Sequence, residues 1–244
     1  MNEGPLYEGV RLLSLDAGNT IVFLDHRACA DLAASALARP VDERAIERAE
    51  GIAKKRLDAK QLLPPLDDKE VTPAWGAFMA TLVQIATGVD DARAAECARV
   101  LWAEHRRFNL WRKVPDGLVA AVGELRARGV PVVVVSNSEG QLQTLFDNLG
   151  IGGAFDLVVD SHVVGVEKPD PRIFAPALAR YGVAAADALH LGDTWATDVV
   201  GARAAGMRVG LIDPFAHYGG HYEDVERVDG VAEACRAIVA TLGR

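Results

Sequence analysis

The sequence predicts a doubly wound, Rossmann-like α/β domain with a parallel sheet, interrupted by an α-helical insert. Three observations predict it. From about residue 113 onward short apolar runs alternate with helix-like segments. Residues 24–112 are instead rich in Ala, Arg and Glu and contain no strand-like run. Polar, chemistry-bearing residues stand at the ends of the apolar runs, the edge at which open α/β sheets bind ligands.

Taken in order, RLLSLD (11–16) reads as the first strand. The insert follows it directly: ACADLAASALA, ERAIERAEGIAKKRLDAK, PAWGAFMATLVQIATG and DARAAECARVLWAEHRRF have helical texture, and PLDDKEVTP (65–73) is the connecting loop between two of them. The second helix carries mixed charge pairs, so Lys54 and Lys55 are expected on a solvated face. Trp75, Phe78, Trp102 and Phe108 fall at helical spacing and are expected to pack in the insert's core, with Trp111 near the return to the main domain.

The runs VPVVVVS (130–136), FDLVVD (155–160), ALHLGD (188–193) and MRVGLID (207–213) are apolar on both faces, as strands buried between helical layers must be. Between them GLVAAVGELRARG, GQLQTLFDNLG and DPRIFAPALARYG are helical and end in Gly, suited to a left-handed cap. Asp170 followed by Pro171 is a helix start. The expected division is 1–23 with 113–244 as the core domain and 24–112 as a helical cap.

Composition narrows the function. The 244 residues carry 26 basic and 34 acidic side chains, a net charge of −8, which disfavours nucleic acid and anionic membrane as partners. No apolar stretch is long enough to span a bilayer, and MNEGPLYEGVRLL lacks the pattern of a signal peptide. Cys29, Cys97 and Cys235 have no metal-ligand spacing and read as reduced thiols of a cytoplasmic protein.

The candidate site is built from Asp16, Ser136, Lys168 in GVEKPDP, and Asp193 with Asp198 in GDTWATD. Two carboxylates brought together from separate strand ends repel unless a cation or proton lies between them. A hard ion such as Mg²⁺ fits, because it takes one or two carboxylates, waters and a substrate phosphate oxygen. Lys168, Ser136, Thr20 and the N–H groups of the DAGNT turn add the donors of an anion pocket. An Asp in that setting can attack phosphorus.

The ordered set of DAGNT after an apolar strand, VVVVSNS, VEKPDPRIF and HLGDTWATDVVGARAAG resembles the haloacid dehalogenase superfamily over nearly all of the chain outside the insert. That resemblance implies a hydrolase with Asp16 as nucleophile, Lys168 as a catalytic charge-balancing residue, and Ser136, Asn137, Thr20 and Lys168 holding the phosphoryl group. It implies Mg²⁺ bound by Asp16, the Gly18 carbonyl and Asp193, with Asp198 in support. The implied substrate is a small phosphorylated metabolite, and the expected assembly is a monomer or homodimer.

One position departs from the pattern. Phosphatases of this family usually carry a second Asp where this chain has Gly18, and that Asp shuttles the leaving-group proton. General acid–base help contributes on the order of 10² to 10⁴ in rate, so substrate, water, Asp25, His26 or another cap group must serve instead, or the leaving group must need little help. The alternatives are phosphonate or carbon–halogen cleavage, or a non-catalytic binding role. Asp193 speaks against dehalogenation, which needs no metal carboxylate. Trp195 sits at the active edge, where packing and pocket lining are both open. The loop DPFAHYGGHYED (213–224) is expected at the surface.

Overall fold

The structure, a computed structural model, describes residues 5–242. Strand β1 (Leu12–Leu15) is followed by a short strand β2 (Phe23–Leu24) and four helices: α1 (His26–Leu37), α2 (Glu43–Asp58), α3 (Pro73–Thr87) and α4 (Asp91–Arg107). Strand β3 (Trp111–Lys113) pairs with β2, so the outgoing and returning chain form a two-stranded ribbon. There follow α5 (Leu118–Ala127), β4 (Val132–Ser136), α6 (Leu142–Asn148), β5 (Leu157–Asp160), α7 (Ser161–Val164), α8 (Ala175–Tyr181) and β6 (Ala188–Gly192). A π-helix (Trp195–Val199) leads into α9 (Val200–Ala204), then β7 (Arg208–Ile212), β8 (Glu226–Val228) and α10 (Val231–Leu242).

Contacts divide the chain into two compact units. The α/β unit holds residues up to Phe23, Lys113–Phe215 and the chain from Gly220; the helical unit holds Leu24–Arg112 and also Ala216–Gly219.

The α/β unit is a six-stranded sheet in the order β5-β4-β1-β6-β7-β8 with parallel pairing throughout. Its three central strands, β4, β1 and β6, are buried along their whole length, which is why their sequences are apolar on both faces. Leu12, Val133, Val135, Ile173 and Phe174 form one of the apolar layers. The expected start at Asp170 is present, with its carboxylate accepting the Arg172 N–H at 2.9 Å, but Pro171–Phe174 is a 3₁₀ turn that precedes α8. The edge strand β8 is not legible in the sequence, because ERV is too short to give an alternating pattern.

In the helical unit Asp25, Asp42 and Asp90 each cap a helix N-terminus by accepting a backbone N–H. Helix α3 starts on Pro73 and stops at Gly88, whose φ of +69° fits the left-handed cap that glycine adopts without strain. Leu24, Ile46, Met79, Leu82 and Leu101 make the core, with Trp75 packed edge-on to Trp102 at 4.8 Å. Two expectations are corrected. Phe108 is 60% exposed, because it caps α4 in an extended conformation and has left the helical register. Lys54 is 5% exposed rather than solvated, because Ile46, Glu50 and Lys54 fall four apart and share the inward stripe of α2.

The segment expected as a plain surface loop is also partly interior: Tyr218 is fully buried, and a side chain on Gly51 of α2 would collide with the His217 ring. Cys29, Cys97 and Cys235 are buried free thiols. Among the described residues no helix is long and apolar enough to cross a membrane.

Candidate active site

Asp16 is placed by the end of β1, where its N–H donates to Leu191 O at 2.8 Å. The turn after it closes on one acceptor: the Ala17 carbonyl receives the N–H groups of Ile21 at 2.9 Å and Val22 at 3.0 Å. Asn19 takes the left-handed conformation that turn needs, with φ of +54°, and Gly18 bridges to Val22. Thr20 is 1% exposed and its hydroxyl oxygen is buried with no hydrogen-bond partner, a costly arrangement unless a further polar group fills it.

Ser136 ends the neighbouring strand β4 and is buried. The side chain of Asn137 is committed to the backbone of Lys168: Nδ2 donates to its carbonyl at 2.9 Å and Oδ1 accepts its N–H at 2.7 Å. This clamp fixes the loop so that the Lys168 side chain runs inward. Its Nζ donates to Asp16 Oδ1 at 2.5 Å, Asp198 Oδ1 at 2.6 Å and Val135 O at 2.9 Å.

Asp193 follows β6, and Thr194 Oγ1 donates to it at 3.2 Å. The π-helix begins two residues later and carries Asp198 back over its own start, where Oδ2 accepts the Thr194 N–H at 3.0 Å. This return is possible because residue 192 is glycine. A Cβ there would stand 2.2 Å from Asp198 Cγ. Ligand oxygens of Asp16, Asp193 and Asp198 lie within 4.8 Å of one another, and all three residues are buried.

Three buried carboxylates thus lie in one cluster, and the Lys168 ammonium bonds two of them, Asp16 and Asp198. Burial pushes Asp16 up to about 7 against the pull of Lys168, and the carboxylates of Asp198 and Asp193 push it further. Asp198 is also penalised by burial, but Lys168 and the hydrogen bond from His190 hold it well below the usual range. Burial works against the charge of Lys168, yet Asp16 and Asp198 together keep it protonated. The cluster therefore fits a hard divalent cation: its donors are oxygens, its carboxylates repel one another, and Asp16 resists ionisation without one.

Sequence reasoning missed two members of this network. His190 of β6 and Ser14 of β1 are buried register partners on adjacent strands, and their side chains bond to each other. A polar residue inside each of the otherwise apolar runs LLSL and ALHLG was the available signal. Other candidates are engaged elsewhere: Asp25 caps α1 and accepts from Arg112 Nε at 3.0 Å, and His26 Nε2 lies 2.6 Å from Glu50. Trp195 stacks on Tyr222 at 4.1 Å with ring planes 6° apart. A cavity of about 360 Å³ near Thr20 is lined mainly by apolar residues such as Phe23, Leu118 and Phe215, and contains none of the carboxylates.

With this geometry in place, comparison with known proteins is informative. The sequence profile of haloacid dehalogenase-like hydrolases matches residues 10–206. The chain is 31% identical over 206 residues to haloacid dehalogenase-like hydrolase domain-containing protein 3 of Bos taurus, covering 83% of this chain and 82% of that protein. It is 34% identical over 170 residues to a phosphoserine phosphatase of Thermus thermophilus, covering 68% and 67%. In fold it is similar to the magnesium-bound putative hydrolase YfnB of Bacillus subtilis, with TM-score 0.60 and 18% identity over 94% of this chain and 99% of that one. An L-2-haloacid dehalogenase is similar to the same degree, with TM-score 0.61 and 21% identity over 94% and 99%. Motif order, parallel sheet and matched length agree: the chain belongs to the haloacid dehalogenase-like hydrolases.

Proposed function

We propose that this hydrolase is a Mg²⁺-dependent phosphatase that cleaves a small phosphate monoester through a phosphoryl group carried on Asp16. The observation that supports this most is the buried cluster of Asp16, Asp193 and Asp198, whose oxygen ligand set and mutual repulsion suit a divalent cation. Asp16, Asp193 and the Gly18 carbonyl would hold Mg²⁺, with Asp198 beside them. When bound, the ion supplies charge stabilisation for the phosphate oxygens and favours the ionised form of Asp16. Lys168 keeps its proton throughout and balances charge as phosphoryl oxygens enter. Ser136, the backbone N–H of Asn137, and Thr20 with its unpaired hydroxyl are the donors assigned to those oxygens. Asp16 attacks phosphorus, the P–O bond to the alcohol breaks, and water then hydrolyses the acyl phosphate.

Gly18 gives no proton to the departing oxygen. Asp25 and His26 are bonded to Arg112 and Glu50, so neither is assigned the task. The substrate class is therefore esters with weakly basic leaving oxygens or with an internal acid. The experiment is phosphate release from a panel of esters with Mg²⁺ or with EDTA, for the wild type and Asp16→Asn. Metal-dependent release that disappears in the variant supports the assignment; release that survives Asp16→Asn ends it.

One observation favours weighing phosphonate cleavage as a second reading. Lys54 is buried, as an amine forming a Schiff base is expected to be. Against it, Lys54 is engaged with a carboxylate: its charge, after the hydrogen bond from His26, helps hold the Glu50 carboxyl below its usual range. Borohydride trapping with a phosphonate aldehyde, whose carbonyl condenses with the amine and loses water, separates the two: inactivation at Lys54 is the outcome that replaces the phosphatase reading.

A further inference from the structure

His190 is fully buried in the middle of the sheet, and both of its ring nitrogens are spent on side chains. Nδ1 lies 2.9 Å from Ser14 Oγ, on the strand that carries Asp16. Nε2 lies 3.2 Å from Asp198 Oδ1, the oxygen that also receives Lys168 Nζ. The Phe174 ring closes over the imidazole edge-on at 4.9 Å, which fixes its plane. The partners determine the tautomer. An ionised Asp198 only accepts, so Nε2 bears the proton; Nδ1 then accepts, and the Ser14 hydroxyl donates to it. Complete burial and the nearby ammonium of Lys168 both oppose a second proton on the ring.

A histidine that merely filled the core would be expected to bond to backbone or to be replaceable by an apolar residue of similar size. This one instead joins the nucleophile's strand to the carboxylate that holds Lys168. We propose that His190 is a positioning residue: anchored by Ser14, it donates from Nε2 to Asp198 and thereby fixes the carboxylate that aims Lys168 at Asp16. This rests on the phosphatase reading above. Asp198 Oδ2 is already fixed by the Thr194 N–H. Without the Nε2 donor, Oδ1 has Lys168 alone to orient it, and the ammonium loses its fixed point opposite Asp16. The step that suffers is phosphoryl transfer, not substrate binding.

The two amide replacements separate the nitrogens. In His190→Gln the side-chain N–H reaches roughly where Nε2 lies; in His190→Asn it reaches only the Nδ1 position. The expected result with the best ester is a kcat loss of about 10- to 100-fold for His190→Asn, in the range known for partners that orient active-site ligands. KM should change by less than about twofold, because ground-state binding is untouched. His190→Gln recovers most of the loss. Ser14→Ala, which frees the anchor and keeps the donor, falls between. A purely structural role lowers the melting temperature of Asn and Gln variants alike and does not divide their kcat values. Because such variants can fail to fold, the wild type supplies an independent readout: ¹⁵N NMR at neutral pH shows Nε2 protonated and Nδ1 bare. A protonated Nδ1 with bare Nε2, an imidazolium, or equal kcat for the Asn and Gln variants overturns the proposal. Hydrolysis that survives Asp16→Asn overturns the phosphatase reading and this role with it, whereas loss in Asp16→Asn with unaffected His190 variants overturns this role alone.

Discussion

Both units bury charged side chains, but they treat them differently. In the helical unit each buried charge meets a nearby opposite: Glu50 has His26 and, one turn along its own helix, Lys54, while Asp25 has Arg112 across the ribbon. In the α/β unit Asp16 and Asp198 share one ammonium, delivered by a residue 152 positions from Asp16 in sequence, and Asp193 joins them in one buried cluster. Balanced pairs secure a fold. A cluster of like charges assembled from distant segments costs stability, and such clusters mark candidate functional sites.

The largest effect that can break this contrast is in the α/β unit. Asp16→Asn is expected to lower turnover by on the order of 10⁴-fold or more, while thermal unfolding shows a metal-free protein no less stable than the wild type, since one buried negative charge is gone. A marked destabilisation would place Asp16 with the structural pairs. Metal removal comes next: with free Mg²⁺ at about 100 times its dissociation constant, binding adds about 2.7 kcal/mol. EDTA should therefore lower the unfolding transition of the wild type and leave that of Asp16→Asn nearly unchanged.

The helical unit is sharpened by pH. His105 is packed among Trp75, Trp102 and Trp111, and burial pushes its imidazole down to about 4. The unfolded chain takes up a proton near pH 6.5, the folded one only near 4, so stability is full above 6.5 and is lost as pH falls to 4. The loss is at most about 3 kcal/mol. In His105→Gln that pH dependence should flatten, as urea unfolding at pH 7 and pH 4.5 can show. Next, Gly192→Ala drives a methyl into Asp198 and is expected to cost about 1–3 kcal/mol and most of the activity. The smallest effect is Tyr222→Ala, where loss of the stack on Trp195 costs about 1 kcal/mol by denaturant unfolding with activity kept.

How much was legible follows from where each signal resides. Asp16, Lys168, Asp193 and Asp198 follow apolar runs, and that position alone predicts convergence on one sheet edge; Lys168 does bond both Asp16 and Asp198. The Asn137 clamp was invisible, because its partner is the backbone of a residue in another loop. His190 and Ser14 were hidden by position: each stands within a strand, and only the register of β1 against β6 shows that they face one another. Lys54 was misread because a lysine in a charged helix is ordinarily solvated, and the stripe it shares with Ile46 and Glu50 is short. The π-helix had no signal at all; the extra residue it accommodates shows only as the five-residue step from Asp193 to Asp198.

The ribbon of β2 and β3 has a consequence for engineering. The Asp25 N–H donates to Leu110 O at 2.8 Å, so the excursion of more than eighty residues leaves and returns through points a single hydrogen bond apart. The entropy of closing a long loop has thus been met locally, at the neck, by paired backbone. A segment spliced there needs ends that meet at that spacing, and it must also cover Ala216–Gly219, which belong to the helical unit and bury Tyr218.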